Sequence, residues 1–152
     1  MALPALQQID EQPPQPLVHR FSTGDLSKHG GWVMKRLLQA FPKQNERSMA
    51  GWLREIVNDN SSLFLATDNG VALFQVLSVH SLEHKPWIFE RFVFAKEGYA
   101  AEGAEFYTKA AEWARNMGVE QIVVQQMSDI PADLIKDRLG RLFNRTQVFA
   151  RL

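Results

Sequence analysis

The stretch from Glu90 to Val119 constrains the fold more than any other part of the chain. It opens with the apolar run Phe92-Val93-Phe94, whose aromatic and β-branched side chains favour a strand. A short segment rich in glycine and alanine follows. Apolar residues then recur at helical spacing, at Phe106, Ala110, Trp113, Ala114 and Met117, up to a closing glycine at Gly118. The pattern predicts a buried strand, a small-residue loop and an amphipathic helix.

The small residues between this strand and helix allow two interpretations. Gly98, Ala100, Ala101, Gly103 and Ala104 would let a ligand approach the backbone where the helix begins. The first N–H groups of a helix have no partner inside the helix, so this point favours a phosphate or pyrophosphate. Small residues at a helix start also serve close packing against a sheet, without any ligand.

The charge balance and the lack of cysteine exclude several classes of function. The chain has 17 basic and 17 acidic side chains in 152 residues, so neither a nucleic-acid surface nor a membrane surface is expected. It has no cysteine, which excludes disulfides, thiolate metal sites and a cysteine nucleophile. No apolar run has the length of a membrane span, the start lacks a signal-peptide core, and no metal-binding spacing is evident. We expect a cytoplasmic protein without a metal.

The rest of the chain predicts one domain behind a short arm. Residues 1–16 are polar and broken by prolines, which favours a flexible N-terminal arm, and residues 17–152 form the domain. The predicted elements are a strand at 17–21, a helix beginning only near Gly30, a helix at 45–57, strands at 63–67, 71–79 and 87–95, the central helix, a strand at 121–126, a helix opened by Asp129 and Pro131, and a strand at 146–152. Asn69-Gly70 predicts a tight hairpin with two positive φ angles.

This order of elements predicts the fold class. Hairpin-connected strands fill the first half, and strand–helix–strand units fill the second half. We expect an α/β fold with a mixed, mostly antiparallel central sheet of about six strands, flanked by helices on both faces.

With these elements the domain resembles the GCN5-related N-acetyltransferases, the GNAT superfamily. The central loop of that family has Gln or Arg, two residues, Gly, one residue, and then Gly or Ala. Gly98, Ala101 and Gly103 fall on these three places. The segment 91–93 resembles the family's strand before the loop, and the segment 111–119 resembles its helix after the loop.

The chain departs from the family pattern at two places. In the loop only Gly103 is a clean match, because Ala101 replaces a glycine and Gly98 replaces the usual Gln or Arg. The family often has an asparagine at the exit of the fifth strand and later a tyrosine that protonates the leaving thiolate. Asp129 and Lys136 stand near these places, and no tyrosine follows Tyr107. A compact, diverged version of this fold is common among proteins of T7-like bacteriophages, which this chain resembles.

The resemblance implies a binding site for acetyl-CoA, used as a co-substrate. Backbone N–H groups of the fourth strand would polarise the thioester carbonyl, and loop amides would hold the pyrophosphate. The expected cofactor-binding residues are Phe92, Val93, Phe94, Gly98, Tyr99, Ala100, Ala101, Glu102, Gly103 and Ala104. At Gly103 any side chain is expected to obstruct the phosphate.

Acetyl transfer to an amine also needs a base and an acid. Glu90 is the base candidate, because partial burial in an apolar strand raises the pKa of a carboxyl group. The alternative for Glu90 is a solvated or ion-paired strand residue. Tyr107 is the acid candidate, and its alternative is packing with a hydrated hydroxyl. His80 and His84 are further base candidates that suit an ordinary turn equally well.

Two functions of different class follow from the resemblance. The first is an acetyl-CoA-dependent N-acetyltransferase acting on an unknown amine. The alternative is a catalytically degenerate GNAT-like protein that binds a host or partner protein. The altered loop and the missing tyrosine favour it, as would Trp32, Trp52 and Trp87 if they are exposed. A structural role in a virion is a third interpretation, and a homodimer is compatible with each.

Overall fold

The computed structural model describes residues 17–78, 86–119, 121–124, 128–140 and 146–148. The strands are β1 (His19–Arg20), β2 (Ser62–Thr67), β3 (Gly70–Ser78), β4 (Pro86–Ala95), β5 (Ile122–Val124) and β6 (Thr146–Val148). The helices are α1 (Thr23–Ala40), α2 (Glu46–Val57), α3 (Ala100–Asn116) and α4 (Ala132–Gly140). This order of elements agrees with the predicted order. The predicted arm and the turn holding His80 and His84 lie outside the described residues.

The strands form a single six-stranded sheet in chain order, from β1 to β6. Strands β1 to β4 pair antiparallel with their neighbours, whereas β4 with β5 and β5 with β6 run parallel. Parallel neighbours need a long crossover, and the helices α3 and α4 supply these two connections. The predicted α/β fold, with a mixed and mostly antiparallel sheet, is confirmed.

Two helices cover each face of the sheet. On one face α1 and α2 pack against the aromatic residues of β2 and β4, through Val33, Leu37, Met49, Leu53 and Ile56. On the other face α3 and α4 pack through Ala104, Phe106, Ala110, Ala111, Ala114, Ile135 and Leu139. Because both faces are covered, β2 is buried at every position. None of the described helices has both the length and the hydropathy that a membrane span requires.

Helix α1 begins at Thr23, so the predicted start near Gly30 was wrong. The Ser22 N–H donates to the Asp25 carboxylate over 2.8 Å, which closes the first turn. Gly30 costs the helix about 1 kcal/mol relative to alanine. The burial of Val33 and Leu37 outweighs this cost, since a buried aliphatic side chain contributes about 1.5–3 kcal/mol.

The hairpin between β2 and β3 lies where it was predicted but has a different geometry. Thr67 pairs with Gly70, so the loop residues are Asp68 and Asn69. Gly70 belongs to β3 and has no positive φ, and the predicted positive angle at this residue was wrong. The glycine is required by space instead. A Cβ there would lie 3.0 Å from a ring carbon of Phe106 and equally close to a backbone carbonyl oxygen of β4.

Candidate functional site

Strand β4 runs beside its parallel neighbour β5. Among the described residues, their ladder includes the pair Phe89–Val123. The next contact is an isolated parallel bridge between Val93 and Ser128, where the Asp129 N–H donates to the Val93 carbonyl over 2.9 Å. The predicted parallel arrangement of the fourth and fifth strands is therefore confirmed for the described residues.

The three strand residues expected at the cofactor site face opposite sides of the sheet. The rings of Phe92 and Phe94 stack with centroids 4.9 Å apart in the core beneath α1 and α2. Val93 packs on the α3 side. The backbone N–H and C=O groups also alternate along the strand. Those of Val93 and Ala95 point toward the β5 side, and those of Phe92 and Phe94 point toward β3. Of the three, only Val93 presents its backbone toward the β5 side, where its carbonyl accepts from the Asp129 N–H.

A tight turn links β4 to α3. The Tyr99 N–H donates to the Lys96 carbonyl over 3.0 Å, and Gly98 between them has a φ of +85°. This geometry is a type II turn, which requires a positive φ at its third residue and therefore favours glycine there. The turn alone explains Gly98.

The first turn of α3 opens on a cleft of about 300 Å³, which we call the α3 cleft. Its lining residues are Ala95, Lys96, Glu97, Gly98, Ala100 and Asp129. The N–H groups of Ala100, Ala101 and Glu102 have no partner inside the helix, because the first intrahelical donor is the N–H of Gly103, bonded to the Tyr99 carbonyl at 3.0 Å. These three amides and the ammonium group of Lys96 favour an anion, whereas the carboxylates of Glu97 and Asp129 in the same lining oppose one. The predicted contact between the loop amides and a pyrophosphate stays a prediction.

Gly103 and Ala104 serve packing in this structure. A Cβ on Gly103 would lie 2.5 Å from the Ile130 Cδ1 atom and 3.2 Å from the Ala95 Cβ atom. The space beside Gly103 is therefore filled by protein, which favours the packing interpretation, and the predicted obstruction of a phosphate stays a prediction. Ala104 is fully buried in the core beneath α3. The anion-favouring part of the loop is confined to Ala100, Ala101 and Glu102.

Asp129 holds together three elements around the α3 cleft. Its carboxylate accepts a hydrogen bond from the Ala95 N–H over 3.2 Å and forms an ion pair with Arg36 of α1. Asp129 was predicted to cap α4, but α4 begins at Ala132 and the carboxylate faces β4 instead. The guanidinium group of Arg36 also lies 4.7 Å from the centre of the Phe94 ring. The end of β4 is thus tied to α1 and to the segment after β5.

Glu90 and Tyr107, the two predicted catalytic residues, are in direct contact. Both are fully buried, and the Tyr107 hydroxyl donates to the Glu90 carboxylate. A tyrosine hydroxyl has one proton, so the Ser128 hydroxyl, 2.7 Å away, donates to the Tyr107 oxygen. Ser128 in turn accepts from the Ile130 N–H over 3.1 Å. The burial of Glu90 is complete, where the sequence predicted partial burial.

This contact keeps the Tyr107 hydroxyl protonated. Burial, and then the neighbouring Glu90 carboxylate, raise the pKa of Tyr107 well above its ordinary value. Its hydroxyl is not in water, so the predicted alternative of a hydrated hydroxyl was wrong. Tyr107 therefore acts as a hydrogen-bond donor over the whole neutral range, and its second hydrogen-bond partner, Ser128, is half-buried.

Ser128 and Arg36 are site residues that sequence reasoning missed. Ser128 follows a buried parallel strand, and the carboxyl ends of such strands commonly carry functional side chains, so its position was an available signal. Arg36 interrupts the apolar stripe of α1, but its partner lies 93 residues away and no local pattern indicates it. Among the described residues no group of three or more histidine or acidic side chains is arranged for a metal ion.

Comparison with solved structures identifies the same architecture in acetyltransferases. The aminoglycoside antibiotic 6'-N-acetyltransferase AAC(6')-Ih from Acinetobacter baumannii superposes with a TM-score of 0.58 at 16% identity, over 89% of this chain and 95% of that chain. A putative acetyltransferase from Agrobacterium tumefaciens gives 0.59 at 14% identity, over 89% and 99%. The chain has the fold of these acetyltransferases.

A third similar structure contains a ligand derived from coenzyme A. It is AAC(6')-Iy in complex with the bisubstrate analog CoA-S-monomethyl-acetylneamine, with a TM-score of 0.54 at 17% identity, over 89% of this chain and 96% of that chain. The sequence itself matches no protein-family model and no curated protein. The acetyltransferase fold is therefore recognisable here from the arrangement of strands and helices.

Proposed function

We propose that this protein is an acetyl-CoA-dependent N-acetyltransferase. The observation that carries the proposal is the α3 cleft, where the start of α3 at Ala100 and the side chain of Lys96 lie beside the end of β4 and Asp129. The likeness of the whole sheet to acetyltransferase structures supports it, and one of those structures holds a coenzyme A analog. A polyamine of the aminoglycoside kind is one option for the acceptor, since two of the similar structures are aminoglycoside acetyltransferases.

In the proposed reaction the two ends of acetyl-CoA use different parts of the site. The pyrophosphate would bind the amides of Ala100, Ala101 and Glu102, because the helix dipole and unpaired donors favour anions. The backbone of Val93, on the β5 side of β4, is the candidate to orient the thioester. The amine nitrogen bonds to the acetyl carbon while the carbon–sulfur bond breaks, and the amine must lose one proton.

Glu90 remains the candidate base, acting through two hydroxyl groups. It is buried, so an amine in a cleft does not reach its carboxylate directly. When the Ser128 hydroxyl accepts a proton from the amine, it passes its own proton to the Tyr107 hydroxyl. Tyr107 then passes its proton to the Glu90 carboxylate. Each donor in this chain already points toward the next acceptor. Tyr107 acts here as a relay, and the same chain run in reverse supplies a proton to the leaving thiolate.

A catalytically inactive GNAT-like protein that binds a partner is the second candidate. One observation favours it: the Asp129 carboxylate occupies the Ala95 N–H, a donor at the end of β4 that a ligand would otherwise use. Trp32, Trp52 and Trp87 are half-buried, so as interface anchors they would expose only part of each ring.

The substitution Ala101→Glu tests the acetyl-CoA site without disturbing the fold. Ala101 is exposed in the first turn of α3, where a carboxylate stabilises a helix by about 0.3–1 kcal/mol. A bound pyrophosphate would be repelled, so we expect affinity for acetyl-CoA to fall by about tenfold or more, measured by isothermal titration.

Two matched variants complete this experiment. Ala101→Gln has nearly the same shape without the charge, and Ala132→Glu places the same charge at the exposed start of α4. Both should bind acetyl-CoA as the unmodified chain does. If the full-length protein gives no heat of binding and no shift in melting temperature with millimolar acetyl-CoA, the proposal is refuted and the partner-binding candidate is favoured.

A further inference from the structure

A second cleft lies on the opposite face of the sheet, beside the start of α2. It has a volume of about 300 Å³, and we call it the α2 cleft. Its lining residues are Phe41, Gln44, Ser48, Met49, Trp52 and Arg91. Three of the six are apolar or aromatic, two are neutral and polar, and one is charged. Among the described lining residues, Arg91 of β4 is the one that belongs to the sheet.

Arg91 projects from an irregularity in β4. Leu73 of β3 pairs with Phe92 and the next residue, Phe74, pairs with Glu90, so Arg91 has no partner across the strands. Such a bulge adds one residue to a strand and redirects its side chain. The bulge also lets Glu90 face α3 while Phe92 faces α2. In the chain Arg91 therefore stands between Glu90, which faces α3, and Phe92, which faces α2, and its own side chain lines the α2 cleft.

The α2 cleft has a positive electrostatic character. None of the described lining residues is acidic, and a guanidinium group is always charged in proteins. Arg91 takes part in none of the ion pairs among the described residues, in contrast to Arg36 and Arg138. The N-terminal turn of α2 borders the cleft through Ser48 and adds the positive end of a helix dipole. Glu46, in the same turn, is exposed and does not line the cleft.

The geometry points to an acceptor that is a small amine bearing a carboxylate, held in the α2 cleft by Arg91. This inference rests on the proposed acetyltransferase function and names its substrate class. The carboxylate would form a two-point contact with the guanidinium group, and an apolar or aromatic body would pack on Trp52 and Met49. The amine would then lie close to β4. α-Amino acids with large apolar side chains have this chemistry, whereas a polycationic amine would be repelled by Arg91.

Trp52 is fixed in position to receive such a body. Its ring lies 6.3 Å from the Phe92 ring, which is itself fully buried. The part of Trp52 that remains accessible faces the cleft, since Trp52 is half-buried and lines it. Aromatic side chains held in this way form rigid contact surfaces for apolar ligands.

The experiment compares amine pairs that differ only by the carboxylate. Phenylalanine with phenethylamine, and leucine with isopentylamine, are assayed for acetyl-CoA-dependent thiol release by the full-length protein, alongside a polycationic aminoglycoside. We expect Arg91→Gln to lower kcat/KM for the amino acids by about 10- to 100-fold and to leave the decarboxylated amines within about twofold. Arg91→Lys should retain part of the difference in kcat/KM between each amino acid and its decarboxylated amine. Lysine keeps the positive charge but lacks the planar guanidinium group that contacts a carboxylate at two points.

The decarboxylated amines also control for folding, since a misfolded variant would lose activity toward both members of each pair. Arg54 is an exposed arginine of α2 that does not line the cleft, so Arg54→Gln should leave kcat/KM for both members unchanged. If acetyl-CoA binds and Arg91→Gln affects both members equally, or if the aminoglycoside is the preferred acceptor, the inference is wrong and the proposed function stands. If acetyl-CoA does not bind, the proposed function fails. Direct titration of phenylalanine, with and without Arg91→Gln, then decides whether the cleft recognises a carboxylate.

Discussion

The Tyr107 hydroxyl of α3 donates a hydrogen bond to the Glu90 carboxylate of β4, and both side chains are completely shielded from solvent. Ser128, after β5, adds a second hydrogen bond to the same hydroxyl. The three residues connect the central helix to β4 and to the segment that follows β5. A buried polar network of this kind is stabilising only while its members remain paired, so its removal has consequences for stability as well as for proton transfer.

We expect Tyr107→Phe to destabilise the fold. The ring is retained, but Glu90 loses a donor and Ser128 loses an acceptor in a buried setting. The expected loss is about 1–3 kcal/mol in the free energy of unfolding, measured by urea denaturation at neutral pH. Tyr99→Phe is the matched control, because Tyr99 is the other tyrosine of the chain and is exposed. An equal, small effect of both changes would mean that the hydroxyl of Tyr107 is dispensable.

Alkaline pH gives a second test of the same contact. Burial and Glu90 raise the pKa of Tyr107 above its ordinary value of 10.0, so the unfolded chain releases this proton at a lower pH than the folded chain. The contribution of Tyr107 is therefore complete below pH 10 and is lost as the pH rises further. Unfolding free energies of the unmodified chain and Tyr107→Phe should converge above pH 10. A constant difference would contradict the raised pKa.

Local signals in the sequence were sufficient for much of the fold. Asn45 was predicted to cap α2, and its side-chain oxygen does accept from the Ser48 N–H at 2.8 Å, three residues away. The order of strands and helices followed from hydrophobic periodicity in the same way. Capping and periodicity depend on neighbours in the chain, so one sequence contains all the information they need.

The partners of the site residues could not be predicted, because they are distant in the chain. Asp129 was read as a helix cap from the adjacent proline, yet its hydrogen-bond donor, Ala95, lies 34 residues away. The role of Gly103 depends on Ile130, which reaches it only after α3 has packed on the sheet. Small residues at a helix start have the same appearance in sequence whether a ligand or a side chain fills the space beside them.

Asp129 should weaken acetyl-CoA binding if the ligand uses the α3 cleft. Asp129→Ala removes a negative charge from the cleft and frees the Ala95 N–H, so we expect about tenfold tighter binding by titration. Its cost in stability should stay near 0–1 kcal/mol, because the ion pair with Arg36 is partly exposed.

A second variant separates charge from the blocked donor. Asp129→Asn removes the charge but keeps an acceptor for the Ala95 N–H, so it should tighten binding less than Asp129→Ala does. Asp133→Ala, an exposed carboxylate in the first turn of α4, serves as the control. Weaker binding by Asp129→Ala would show that the carboxylate helps to shape the cleft.

Asp25 should make the start of α1 sensitive to acid. Burial alone would raise the pKa of Asp25, but hydrogen bonds with His19 and Ser22 outweigh this effect and hold it below the ordinary value of 3.8. Its contribution is therefore present above pH 3.8 and is lost as the pH falls through the lower folded value. Asp25→Ala should cost about 0.5–2 kcal/mol at neutral pH, and the difference should shrink in acid below pH 3.8. Thermal unfolding across this range measures it, and a pH-independent difference would contradict the assignment.

The contact between Gly103 and Ile130 can be tested by removing the atom that a Cβ would meet. In an open helix position glycine to alanine stabilises by about 0.5–1 kcal/mol, and Gly51→Ala in α2, where no heavy atom lies within 4 Å, should show this gain. Gly103→Ala should instead destabilise by about 1–3 kcal/mol, because its Cβ would lie 2.5 Å from the Ile130 Cδ1 atom in a packed core.

Ile130→Val deletes that atom and leaves Cγ1 at 3.5 Å, an ordinary contact. The double variant should therefore be more stable than the two single costs predict, by about 1 kcal/mol or more in a double-mutant cycle of unfolding free energies. Strict additivity would show that Ile130 is not the obstacle, and an unchanged stability with lost acetyl-CoA binding would return Gly103 to the ligand site.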